Sequence, residues 1–165
     1  MSLPDLAAVL WRQRELLERL VYRLECEQLL LAAGRTRFLP LATAEVEELI
    51  SELSVIEMQR ASVADAVAAE VGLAAGTPLE ELAAAAEPPW TGVLVDHRNA
   101  LLTLTGELTV LAEANRHLMA AGLQAVEQAM IQLGLREGRS SIGYDAQGRR
   151  ELIAGAGATV VDRSL

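Results

Sequence analysis

Lysine is absent from this 165-residue sequence, cysteine occurs once, histidine twice, and aromatic residues make up only 3%. Each scarcity closes off a class of chemistry. Without lysine there is no ε-amine for a Schiff base or a general base. The single cysteine, Cys26, cannot form an intrachain disulfide, which fits a reducing compartment. Its neighbours Glu25 and Glu27 disfavour a thiolate, so Cys26 reads as a small buried or half-buried residue and not a nucleophile. With so few aromatics, a core has to be built from leucine, alanine and valine, which suits layered helices and suits a β-sandwich or barrel badly. No uncharged apolar run reaches the roughly 18 residues that would span a bilayer. No basic stretch precedes an apolar one at the amino terminus, where Asp5, Arg12 and Arg14 intervene early. A cytoplasmic protein with no membrane insertion is expected.

Positive charge is also short. Lys+Arg total 14 against 23 for Asp+Glu, a net charge of -9. The imbalance is concentrated up to residue 135, where 19 acidic residues face 9 basic ones; the last stretch is nearly balanced. An acidic body repels phosphate backbones and offers no basic stripe, which argues against a nucleic-acid partner.

What the sequence has in abundance is leucine at helical spacing. Leu94, Leu101 and Leu108, with Asn115 next, recur every seven residues, and Leu104, Leu111 and Leu118 form a second series offset by three. Both series fall on one side of a helix, and an unbroken helix of roughly 40 residues would be about 60 Å long. An earlier seam runs through Leu3, Leu10, Leu17, Leu24, Leu31 and Phe38, widened by Leu6, Val9, Leu16, Leu20, Val21 and Leu30. A stripe this wide faces more than one neighbour. Proline in the first turn opens this helix at Leu3-Pro4-Asp5, Glu15 and Arg19 supply an i,i+4 pair, and Pro40 ends it. Thr43 is the next cap candidate, and Val46, Leu49, Ile50, Leu53, Ile56, Val63, Val67 and Val71 carry a second helix that Gly72 and Gly76 stop. Arg60 falls on that seam, reading either as a stem-burying arginine reaching Glu57 or another acid, or as a charge that contacts a partner. Thr77-Pro78-Leu79-Glu80 has the form of a capping box and opens a short helix before Pro88-Pro89. Trp90 beside that breaker reads as a plug over the core.

The fold expected is all-α: an elongated antiparallel bundle of three long helices with a short connecting helix, over about 4–39, 44–71, 78–87 and 93–134. A bundle domain at 1–135 would be followed by an irregular tail at 136–165, with a transient hairpin about Asp145–Gly148. The heptad phase of the last helix holds through Leu118 and then slips, the later apolar residues falling at Met119, Leu123, Val126, Met130 and Leu133. Gly134 marks its end.

Little here carries chemistry. His97 and His117 are twenty residues apart on one expected helix, about 30 Å, and cannot share a metal within one chain. No Glu-x-x-His repeat, phosphate-binding glycine loop or Ser/His/Asp set is present. Neither an enzyme nor a cofactor is expected. Asn115, alone in an apolar seam, has two open readings, register-setting or client-contacting.

Several stretches resemble the FlgN family of flagellar export chaperones. The leucine- and glutamate-rich opening matches at Leu6, Leu10, Glu15, Leu16, Leu17, Leu20 and Leu24, and the second helix at Leu53, Glu57 and Arg60. The family's Leu-x-x-x-Asn-x-x-Asn-x-x-Leu pattern is met at Leu108, Asn115 and Leu118, with Ala112 in place of its first asparagine. The run Tyr144-Asp145-Ala146-Gln147-Gly148 is similar to a motif after the family's last helix. The resemblance implies a cytoplasmic, non-enzymatic chaperone. It would bind the carboxy-terminal amphipathic helices of hook-filament junction proteins of the FlgK and FlgL type and deliver them to the type III export apparatus. A client helix would lie in a groove on Asn115, Leu118, Met119, Leu123, Val126, Met130 and Leu133, where methionine and the phase slip give an adaptable face. Ordinary core packing explains the same residues equally well. A structural coiled-coil homo-oligomer or a regulatory adaptor fits the same acidic helices. The chaperone reading expects a monomer or weak homodimer with an exposed apolar patch.

Overall fold

The computed structural model describes residues 2–134, 140–144 and 150–154. Four helices carry nearly all of it: α1 (Leu3–Ala32), α2 (Leu39–Glu70), α3 (Leu79–Ala85) and α4 (Trp90–Gln132). The expected all-α architecture, three long helices and one short connector, is what the chain forms. By contacts it divides into two compact units, Met1–Gly122 and Leu123–Leu165.

Within the first unit, cross-helix pairs fix the directions of the helices. Glu27 meets Thr43, Arg23 meets Glu45 and Arg19 meets Glu52, so α1 and α2 run antiparallel. His97 lies against Trp11, and Asn115 reaches Leu24 and Glu27, so this part of α4 runs parallel to α1. One apolar cluster joins Leu6 and Leu10 of α1, Val63, Val67 and Ala68 of α2, Leu82 and Ala83 of α3, and Leu94 of α4. Trp90 packs against this cluster at the start of α4, as a plug should. The other cluster joins Leu16, Leu17, Leu20 and Leu24 to Val46, Leu49, Leu53 and Ile56, with Leu101, Leu104, Leu108 and Leu111 of α4 half-buried over it. Both leucine series of the long helix therefore face the scaffold.

Several local expectations need correcting. The first helix ends at Ala32, not at residue 39, because Gly34 takes φ 64° and closes a Schellman turn, with Arg35 N–H donating to Leu30 C=O at 2.9 Å. Phe38 consequently leaves the seam and is exposed. Pro40 does not stop a helix; it sits in the first turn of α2, where it has no amide to satisfy. Thr43 is thus inside α2 and caps nothing; its hydroxyl donates to Glu27 Oε1 at 2.9 Å. Thr77 does not cap α3 either, since its hydroxyl donates back to Ala74 C=O at 2.7 Å and Pro78 holds the cap position. Arg19 reaches Glu52 on α2 in place of Glu15, and Arg60 is half-buried without an ion pair to Glu57 among the described residues. The stops at Gly72 (φ 74°) and Gly134 (φ 67°) stand as expected.

In the second unit, α4 runs on to Gln132. Beyond it, β1 (Ser140–Tyr144) pairs antiparallel with β2 (Arg150–Ala154), Ile142 opposite Leu152, inside the stretch expected to be irregular. The ladder brackets the Asp145–Gly148 turn signal, whose own residues lie outside those described.

Candidate functional site

Helix α4 changes character along its length. From Leu94 to Leu118 its seam residues are buried or half-buried; from Met119 onward every residue of the helix is exposed. The change follows from the phase slip. Up to Leu118 the three-four spacing keeps leucine turned toward α1 and α2, and past it the apolar residues fall on a line that stays exposed among the described residues.

Within the second unit that line carries Leu123 (70% exposed), Val126 (57%), Met130 and Leu133 (71%), with Ile131 beside it. Leu123, Val126, Glu127 and Met130 line a shallow groove. Steps of three and four residues make this a two-position seam of the kind a second helix packs against. Its flanks are small: Ala125 and Ala129 lie beside it, and Glu127 is the one charged residue from Leu118 to Gln132. Small flanks permit close backbone approach, and the near absence of charge leaves apolar burial as the available driving force. Met119, in the first unit, is exposed and precedes Leu123 by one helical step. Ile131 was not picked out by the heptad spacing because it sits off the seam line, and only its exposure reveals it.

Two other residues expected on the client face lie elsewhere. Leu118 is half-buried. Asn115 is only 1% exposed, and both amide hydrogens are committed, to Leu24 C=O at 2.9 Å and Glu27 Oε2 at 3.1 Å. Glu27, itself buried, also accepts from Thr43 at 2.9 Å. A side chain held this way, with no free donor and no surface, belongs to the scaffold and is off the accessible face. The three residues make one polar layer joining α1, α2 and α4. Sequence reading missed Glu27 and Thr43, because their partners lie 88 and 16 residues away in the chain.

The histidines occupy unlike surroundings. His97 is buried, its ring edge-to-face with Trp11 at 5.2 Å, while Arg14 lies over the other ring system at 5.1 Å. Burial, then the nearby Arg14 charge, holds the His97 pKa below its ordinary value, with Asp96 opposing. His117 is exposed and paired with Glu113 at 3.1 Å. Among the described residues no group of His, Cys, Asp and Glu is arranged to hold a metal, and no helix is long and apolar enough to cross a membrane.

The arrangement is a leucine-packed scaffold of α1, α2 and the first part of α4, and, in the second unit, an exposed apolar seam on the remainder of α4. Comparison with curated proteins and with solved structures gives no match. A family model described as FlgN protein matches residues 1–151, which takes in all four helices and β1. The chain therefore belongs to the FlgN family, whose general role is that of a flagellar export chaperone.

Proposed function

We propose that this protein is a cytoplasmic chaperone for hook-filament junction proteins of the FlgK and FlgL type. It binds their carboxy-terminal amphipathic helices, prevents premature assembly and delivers them to the flagellar type III export apparatus. The observation that carries this reading is the uncovered seam of Leu123, Val126, Met130 and Leu133, solvent-exposed on a helix whose earlier part is packed. Four large apolar side chains held in water are unfavourable unless a partner covers them. A client helix laying leucines or methionines between them removes that area from water, and the flexible Met119 and Met130 side chains adjust to more than one client. With a single carboxylate beside the seam, binding is driven by burial, and its affinity changes little between low and high salt.

Co-purification with each junction protein, intact and lacking its last helix, tests the reading. The intact proteins are expected to give a one-to-one complex and the truncated ones none. The variant Leu123→Glu/Val126→Glu should weaken binding by about a hundredfold, since two apolar contacts of roughly 1.5 kcal/mol each are lost. Helical content should not change, because both side chains are exposed in the free protein. Failure of both intact proteins to bind removes the chaperone assignment; binding that survives loss of the client helix removes the groove mechanism. A stable homo-oligomer that buries the seam without any client would favour a structural coiled coil.

A further inference from the structure

The first unit carries another uncovered surface, built from α1 and the middle of α4 and sharing no residue with the seam at Leu123–Leu133. Val21 and Glu25 of α1, with Gly106, Glu107, Val110 and Leu111 of α4, line a groove of about 300 Å³. Its walls are mostly apolar, and Val110 is 69% exposed. The same outer line of α4 carries Leu102 and Val95, both exposed, so the apolar surface continues along the helix away from the groove.

Two features say what kind of partner fits. Gly106 lies in the middle of α4, where glycine weakens a helix relative to alanine. A Cβ there would meet nothing within 4 Å, so no contact among the described residues requires glycine. Gly106 lines the groove, and a residue with no side chain there allows another backbone to come close. Glu25 and Glu107 stand on opposite walls, and neither has an ion-pair or hydrogen-bond partner among the described residues. Carboxylates left unpaired at the rim of an apolar groove complement cations on whatever enters it.

We propose that this groove docks an amphipathic helix of a second protein, one whose apolar stripe is flanked by arginine or lysine. The occupant sits between Val21 and Val110, passes over Gly106, and places its cations against Glu25 and Glu107. This surface uses none of the residues of the client seam.

The test uses the full chain and two synthetic helical peptides of about five turns. They share one leucine stripe and differ only in the flanking residues, all lysine or all glutamate. Binding is followed by fluorescence anisotropy at about 0.15 M salt. The lysine peptide is expected to bind and the glutamate peptide not. Glu25→Gln/Glu107→Gln should weaken the lysine peptide about tenfold. Glu47→Gln/Glu48→Gln, which removes the same charge from the exposed side of α2, should change it less than about twofold. Gly106→Leu fills the groove and should abolish binding while leaving the helical circular dichroism intact, because leucine is the better helix former and the site is open. An equal effect of the two charge-removing pairs means only diffuse attraction to an acidic protein and overturns the proposal. So does undiminished binding to the Gly106→Leu variant, or no binding of the lysine peptide.

Discussion

Glu27 is a carboxylate with almost no access to water, and its two side-chain donors come from different helices, Thr43 on α2 and Asn115 on α4. Such a group tolerates burial only while its donors stay in place. Asn115→Ala should therefore cost about 2 kcal/mol or more in chemical unfolding, well beyond the loss of one exposed hydrogen bond. Replacing the buried pair together, Glu27→Leu/Asn115→Leu, should recover most of that loss, because the one group left without its partner, the Thr43 hydroxyl, is at an exposed position and can turn to water. His97 gives a second residue-level expectation. Its folded pKa lies below the unfolded value near 6.5, so the unfolded chain takes up the proton first. Stability is full above that value and declines as pH falls below it. Unfolding midpoints at about pH 8 and about pH 5.5 should differ accordingly, and His97→Leu should reduce the difference. The sequence marks Asn115 as unusual by its place among leucines. It gives no means of deciding what the amide meets, since Glu27 looks like one more surface acid beside Cys26 until α1 and α4 are brought together.

At the scale of elements, periodicity placed every long helix, and the errors gather at the ends. Leu31 and Phe38 extend the heptad arithmetic of α1, but a helix ends where its backbone can turn, and Gly34 supplies that conformation four residues earlier than the seam runs out. Gly34→Ala forces a Cβ into the left-handed region and should destabilise the chain by about 1–2 kcal/mol, readable as a lower thermal midpoint. The open surroundings at Gly34 leave backbone conformation as the whole cause. Pro40 was misplaced for a related reason: proline forbids a helix before it as readily as it begins one, and the sequence alone does not say which side is helical. The division of α4 was legible from spacing, because a phase slip rotates the apolar line whatever the neighbours are. That the line past Leu118 is bare, and that Leu118 itself is not, required the packed structure.

For the molecule as a whole, the two clusters that make up the core lie entirely before residue 122. A chain ending at Gly122 is expected to fold cooperatively, with a thermal midpoint within about 5 °C of the full chain, and to lose client binding. A truncated chain that unfolds without cooperativity would mean that later residues complete the core. The helical class follows from composition read as physics: few aromatics, and leucine and alanine in abundance at helical spacing. The second groove was invisible to pattern reading, since Val21, Gly106 and Val110 mean nothing together until two helices lie side by side.

The polar layer of Glu27, Thr43 and Asn115 also bears on how this chain can diverge. A lineage that loses the amide at 115 alone inherits a buried carboxylate missing a donor, and one that loses Glu27 alone leaves one of the two amide hydrogens without its acceptor. Neither single step is neutral, whereas a joint change to apolar residues is nearly so. Positions 27 and 115 should accordingly be replaced in concert among descendants, while Ala112, half-buried one turn earlier, drifts independently of them.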